Sequence, residues 1–65
     1  MKITFDGKEV EIPERRIRVK ELLKKLGADE LYFLVIDLER GKLLTNDKVI
    51  KEGDRVEIRS TLSWG

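Results

Sequence analysis

The chain contains no cysteine and no histidine. Without thiolates or imidazoles it can form no disulfide, no Cys- or His-based zinc site, no Ser-His-Asp triad and no imidazole acid–base couple. Glutamine is also absent, asparagine and proline occur once each (Asn46, Pro13), and the aromatic residues are Phe5, Tyr32, Phe33 and Trp64. No apolar run approaches the ~20 residues of a membrane helix, and Met1-Lys2-Ile3-Thr4 does not lead into a signal-peptide core. A soluble, cytoplasmic protein is expected. No Gly-rich phosphate loop is present.

Charge of either sign is plentiful. Lys and Arg number 14 against 13 Asp and Glu, 42 % of the chain, and the net charge is only +1. The overall field therefore recruits neither nucleic acid nor membrane. Dense, balanced charge with few thermolabile side chains matches the surfaces of thermophile proteins. A chain of 65 residues makes one small domain, which buries only ~60 % of its unfolded surface. Its stability must come from a single core of Leu, Ile, Val and Phe.

Ile3 and Phe5, then Val10 and Ile12, alternate with polar residues on either side of Asp6-Gly7. Asp-Gly suits a type I′ turn, in which both central residues need positive φ, so the chain opens with a hairpin. Pro13 ends the second strand because it has no N–H to donate. From Arg18 to Leu26 the period changes, and Val19, Leu22, Leu23 and Leu26 form the stripe of an amphipathic helix that stops at Gly27. No Ser, Thr, Asp or Asn precedes Val19, so a side-chain cap worth ~1 kcal/mol is missing. Leu31 to Leu38 reads as a central strand. With Asp37 turned to water, Phe33 and Val35 would share its outer face, and Leu34, Ile36 and Leu38 would face the helix. A turn at Glu39-Arg40-Gly41 leads to a short strand at Lys42 to Leu44, and residues 45–50 read as a loop.

After Gly53-Asp54, Val56 and Ile58 alternate with Arg55, Glu57 and Arg59, the signature of a strand buried on one face. The residues beyond it have no period, and a chain that ends on glycine shortly past its last strand can offer its own carboxylate as a chemical handle. The expected organisation is a domain over 1–60 and a flexible tail over 61–65. The order strand, strand, helix, strand, short strand, strand fits an α+β roll: a mixed sheet of four to five strands over one helix, with the terminal strands parallel at its centre. That is the β-grasp, or ubiquitin-like, fold.

Along its whole length the chain resembles the small ubiquitin-like sulfur carriers, the group containing ThiS, MoaD and TtuB. The resemblance rests on the opening hairpin, the helix segment Val19 to Gly27, Leu43-Leu44-Thr45, the run Lys51-Glu52-Gly53-Asp54-Arg55-Val56-Glu57-Ile58, and the tail Ser60-Thr61-Leu62-Ser63. It implies a carrier, not an enzyme. An activating enzyme would use ATP to adenylate the terminal carboxylate, a sulfur donor would convert it to a thiocarboxylate, and a sulfur-acceptor enzyme would take the sulfur for 2-thiouridine in tRNA, for thiazole or for molybdopterin. The tail sequence leans towards the tRNA-thiolation carrier. Gly65 would bear the sulfur, with Ser63 and Trp64 as the tail threaded into the activating site, and no bound cofactor or metal is implied. The family ends in Gly-Gly, whereas this chain ends in Trp64-Gly65. Three readings stay open: an activating enzyme with a wider groove, further native residues after Gly65, or loss of carrier activity in favour of a binding module. A ubiquitin-like protein modifier is a near relative of the first. Arg18 in place of the usual capping hydroxyl and a longer turn from Asp37 to Lys42 are milder departures.

Three other features bear on partners. Glu9 with Glu11 and Asp47 with Glu52 are carboxylate pairs open to a hard cation, but in a chain this charged they read as solvated surface. Arg15, Arg16, Arg18, Lys20, Lys24 and Lys25 form the densest basic stretch, which lacks the interleaved aromatics of an RNA platform. Direct nucleic-acid binding is not expected, and the chain should be a monomer when alone. The better docking candidate is the outer sheet face, where Thr4, Phe33, Val35, Arg55, Glu57 and Arg59 are expected side by side.

Overall fold

The alternation in the first eleven residues becomes a hairpin of β1 (Lys2–Phe5) and β2 (Lys8–Glu11) in the computed structural model, which describes residues 1–64 and their side chains through Leu62. Asp6 and Gly7 take φ of 49° and 85°. Phe5 lies opposite Lys8, so the two-residue turn sets a register in which Ile3 meets Val10. The last strand, β7 (Val56–Ser60), runs parallel to β1, with Thr4 beside Glu57 and Phe5 beside Ile58. On its far side β7 pairs antiparallel with β4 (Phe33–Asp37), and β4 pairs with the two-residue β5 (Lys42–Leu43). The sheet order is β2-β1-β7-β4-β5, the mixed five-stranded roll expected from the sequence.

The helix α1 (Val19–Lys25) buries Val19, Leu22 and Leu23. Each fully buried aliphatic side chain stabilises the fold by about 1.5–3 kcal/mol. Its residue Arg18 is extended (φ −77°, ψ 145°) and gives no side-chain cap. The missing cap is supplied by main chain. The Lys48 carbonyl accepts from Val19 N–H at 2.9 Å and the Asn46 carbonyl from Lys20 N–H at 3.2 Å, so two of the four orphan donors of the first turn are satisfied by the 45–48 loop. At the other end Gly27 takes φ 68°, and Ala28 N–H reaches the Leu23 carbonyl at 2.8 Å.

Two corrections to the sequence reading concern the segments beside the helix. Arg16–Arg18 (β3) and Val49–Lys51 (β6) are strands, paired antiparallel as a separate two-stranded sheet, where a loop was expected at 45–50. Each strand has only three residues and one inward side chain, Ile17 or Ile50, so neither is long enough to display alternation. Ile50 is nonetheless 0 % exposed and sits in the core with Ile3, Ile12, Val19, Leu22, Leu23, Ala28, Val35, Val56 and Ile58. The second correction is the face of β4. Val35 is 2 % exposed and lies in the core, Phe33 packs against it, and Leu34 and Ile36 face out. Asp37 misled the reading because it is not an outward strand residue: at the strand end its Oδ1 accepts from Glu39 and Arg40 N–H at 3.0 and 3.2 Å and holds the turn. The strand also begins later than expected. Asp29 Oδ1 accepts from Leu31 N–H and the Asp29 carbonyl from Tyr32 N–H, which makes 29–32 a turn.

Glu14 fastens the crossover to the helix. One carboxylate oxygen contacts Lys25 Nζ at 3.0 Å, and the other is buried with no hydrogen-bond partner among the described residues. The Lys25 ammonium, helped by a main-chain N–H, holds the Glu14 pKa below its ordinary 4.5. A depressed carboxylate stabilises the fold above its unfolded pKa and loses that contribution as pH falls through the lower folded value. The difference in urea midpoint between the protein and Glu14→Gln is therefore expected to be larger at pH 7 than well below pH 4.5. For the missed strand, Ile50→Val should cost about 0.5–1.5 kcal/mol in urea unfolding, the value for a packed core isoleucine. A loop side chain would lose less than about 0.5 kcal/mol.

Candidate functional site: the outer sheet face and the C-terminal segment

The pairing register places one residue from each of the five strands in a single row across the outer face: Glu9, Thr4, Glu57, Ile36 and Leu43. Arg59 and Leu34 form the neighbouring row on β7 and β4. Arg55 lies just ahead of β7 on the same parity, and its carbonyl accepts from Leu38 N–H at 2.9 Å. The face divides by chemistry. Leu34, Ile36 and Leu43 make an apolar half over β4 and β5, and Thr4, Glu9 and Lys2 make a polar half over β1 and β2, where Lys2 and Glu9 approach to 4.0 Å.

An ion pair forms the seam. Arg59 Nη2 donates to Glu57 Oε1 at 2.7 Å, with Glu57 14 % and Arg59 45 % exposed. Glu57 is thus largely covered, while the guanidinium keeps unfilled donors towards solvent. Of the residues expected here, Thr4, Arg55, Glu57 and Arg59 are brought together. Phe33 and Val35 are not: the Phe33 ring lies against Phe5 on the inner side, with centroids 5.4 Å apart, and Val35 is in the core. Leu34, Ile36 and Leu43 take their place. The signal that could have found them is Asp37 itself, an aspartate just ahead of Glu39-Arg40-Gly41, whose carboxylate can accept from the N–H groups of that turn and so need not face solvent.

The same strand, β7, leads into the C-terminal segment. Thr61–Trp64 form a 3-10 turn. Thr61 N–H and Oγ1 both donate to the Tyr32 carbonyl, at 2.8 and 3.3 Å, and Leu62 N–H donates to Ser60 Oγ at 3.2 Å. Leu62 is 81 % exposed. The segment is therefore tied to the start of β4 at Thr61, and the Leu62 side chain stands in solvent. The side chains of Ser63 and Trp64, and Gly65 with its carboxylate, lie outside the described residues. Among the described residues no three acidic side chains gather into a possible metal site, and no helix is long and apolar enough to cross a membrane.

A mixed sheet with its first and last strands parallel at the centre, wrapped on one helix, defines a ubiquitin-like β-grasp fold. Among solved structures the chain is similar to a thiamine biosynthesis protein, ThiS, from Geobacter metallireducens, with a TM-score of 0.64 and 29 % identity over 91 % of each chain. The chain shares the β-grasp fold of that protein and is similar to it over nearly its whole length. No protein-family model matches the sequence, and no curated protein matches it.

The two faces of β4 can be distinguished by placing a hydroxyl on each. Val35→Thr buries an unpartnered hydroxyl in the core and is expected to cost about 1–3 kcal/mol. Leu34→Thr, on the outer face, is expected to cost less than half as much. Urea midpoints of the two variants check the assignment.

Proposed function

We propose that the chain is a ubiquitin-like sulfur carrier for thiamine biosynthesis that acts through the tail beyond Thr61. The observation that carries this reading is the likeness to ThiS over nearly the whole of both chains. The Gly65 carboxylate would attack the α-phosphorus of ATP in an activating enzyme, releasing pyrophosphate and leaving an acyl-adenylate. A donor at the oxidation level of sulfide, hydrosulfide itself in the simplest case, then adds to that carbonyl, AMP departs as the leaving group, and the carrier holds a thiocarboxylate for an acceptor enzyme. Adenylation is needed because a free carboxylate is a poor electrophile, and a glycine end can enter a channel that a side chain would block.

The carrier contributes no acid, base, metal or cofactor of its own, and ATP is consumed by the activating enzyme. Its outer face offers the docking surface: the apolar patch of Leu34, Ile36 and Leu43, with Arg55, Glu57 and Arg59 along its margin, lies on the sheet face whose strand β7 runs into the tail. A bound partner would therefore find the tail within reach. The similarity to ThiS ranks thiazole supply ahead of tRNA thiolation and molybdopterin. One residue favours a second reading. Trp64 puts the largest side chain where a channel is narrowest, which suits a β-grasp interaction module whose end is never activated.

Intact mass separates the two. Incubation with the ThiS-type activating enzyme of the same cell, ATP and a sulfur donor should add ~16 Da, sulfur replacing oxygen, by way of the activated carboxylate. Absence of any adenylate from the unaltered chain, while Trp64→Gly is adenylated, would establish the interaction module instead.

A further inference from the structure

β3 and β6 join two distant stretches of sequence, and the join concentrates positive charge. Ile17 and Ile50 lie opposite each other and inward, so Arg16, Arg18, Val49 and Lys51 occupy the exposed side of the ribbon. Arg16 lies directly across from Lys51. Like charges directly opposite destabilise a strand pair, and an acidic residue at either position would have made a favourable one. Lys48 and Lys20 extend the patch where the loop carbonyls meet the helix.

Five cations elsewhere in the chain are paired: Lys2 with Glu9, Arg15 with Glu52, Lys25 with Glu14, Arg40 with Asp37 and Arg59 with Glu57. Among the described residues Arg16, Arg18, Lys20, Lys48 and Lys51 make no ion pair with a carboxylate, and the Arg18 guanidinium donates to the main-chain carbonyl of Asp47 at 3.2 Å. Among the described residues Lys8, Lys24, Lys42 and Arg55 make no ion pair with a carboxylate either, but they stand apart, on β2, α1, β5 and the turn ahead of β7. A protein with net charge of +1 thus keeps a local excess of cations on one short ribbon.

We infer that the exposed side of the β3–β6 ribbon docks an acidic protein segment in extended conformation. Residues two apart on a strand repeat every ~6.6 Å, and carboxylates at alternate positions of an extended partner repeat with the same step. Arg16 and Arg18 then meet successive acids, with Lys51 and Lys48 alongside. Val49, 43 % exposed among these cations, supplies the apolar contact that arginine-rimmed interfaces use. Single-stranded RNA suits the surface less well, because its sequence-independent binding relies on aromatic stacking and the ribbon carries no aromatic residue. The ribbon belongs to the second sheet, so the inference does not depend on the activation of Gly65.

The test is a titration of the isotope-labelled full chain, followed by amide chemical shifts, with an acetylated and amidated peptide of alternating glutamate and threonine, and in parallel with oligouridylate. Peptide-induced shifts are expected to concentrate in residues 16–20 and 48–51. Arg16→Gln with Lys51→Gln should weaken peptide binding about tenfold, the sum of two exposed charge contacts. Lys8→Gln with Lys42→Gln, which removes the same net charge elsewhere, should change it less than about twofold. Equal weakening by both pairs, shifts scattered away from the ribbon, or tighter ribbon binding by oligouridylate than by the peptide would each overturn the inference.

Discussion

The parallel contact between β1 and β7 is the constraint on which the rest of this fold depends. It brings the opening hairpin against the last strand at the centre of the sheet, with Asp6 N–H donating to the Ile58 carbonyl at 2.8 Å beyond the ladder itself. Parallel neighbours cannot be joined by a tight turn, so everything between them must cross over, and the helix is what the crossover lays across the sheet. Ile3 and Ile58 are consequently among the most completely buried side chains, although they come from opposite ends of the sequence. With no disulfide available, this pairing and the core beneath it are what close the chain into one unit.

Much of this was legible from residue pattern. The Asp6-Gly7 turn, the helix stripe, the stop at Gly27 and the alternation of the last strand each carry a local signal longer than its own noise, and together they define the roll. Asp37 shows where the pattern failed. Its charge marks the solvent face by pattern alone, yet its carboxylate is occupied by the N–H groups of the following turn. Because side chains alternate strictly, that one misassignment turned all of β4 over and exchanged Phe33 and Val35 for Leu34 and Ile36. β3 and β6 failed for a different reason: three residues hold too few alternations, and only their mutual pairing makes them strands.

The candidate site is similarly divided. Arg55, Glu57 and Arg59 were legible because β7 alternates cleanly, and their apolar companions were not, because these depend on the register between β4, β7 and β5. The register also gives the outer face its character. A largely covered Glu57 neutralises one side of Arg59 and leaves the other donors of the guanidinium directed outward, beside leucine and isoleucine side chains. Such a surface combines oriented polarity with removable water, which is how modest areas achieve specificity.

The first two N–H groups of the helix are held by the carbonyls of Lys48 and Asn46. A carbonyl oxygen is common to every amino acid, so no side-chain exchange at those positions can delete the acceptor. What the arrangement cannot tolerate is a change in loop length, which would carry both oxygens out of reach together. The helix start thus depends on how many residues the loop has, and not on which side chains stand at 46 and 48.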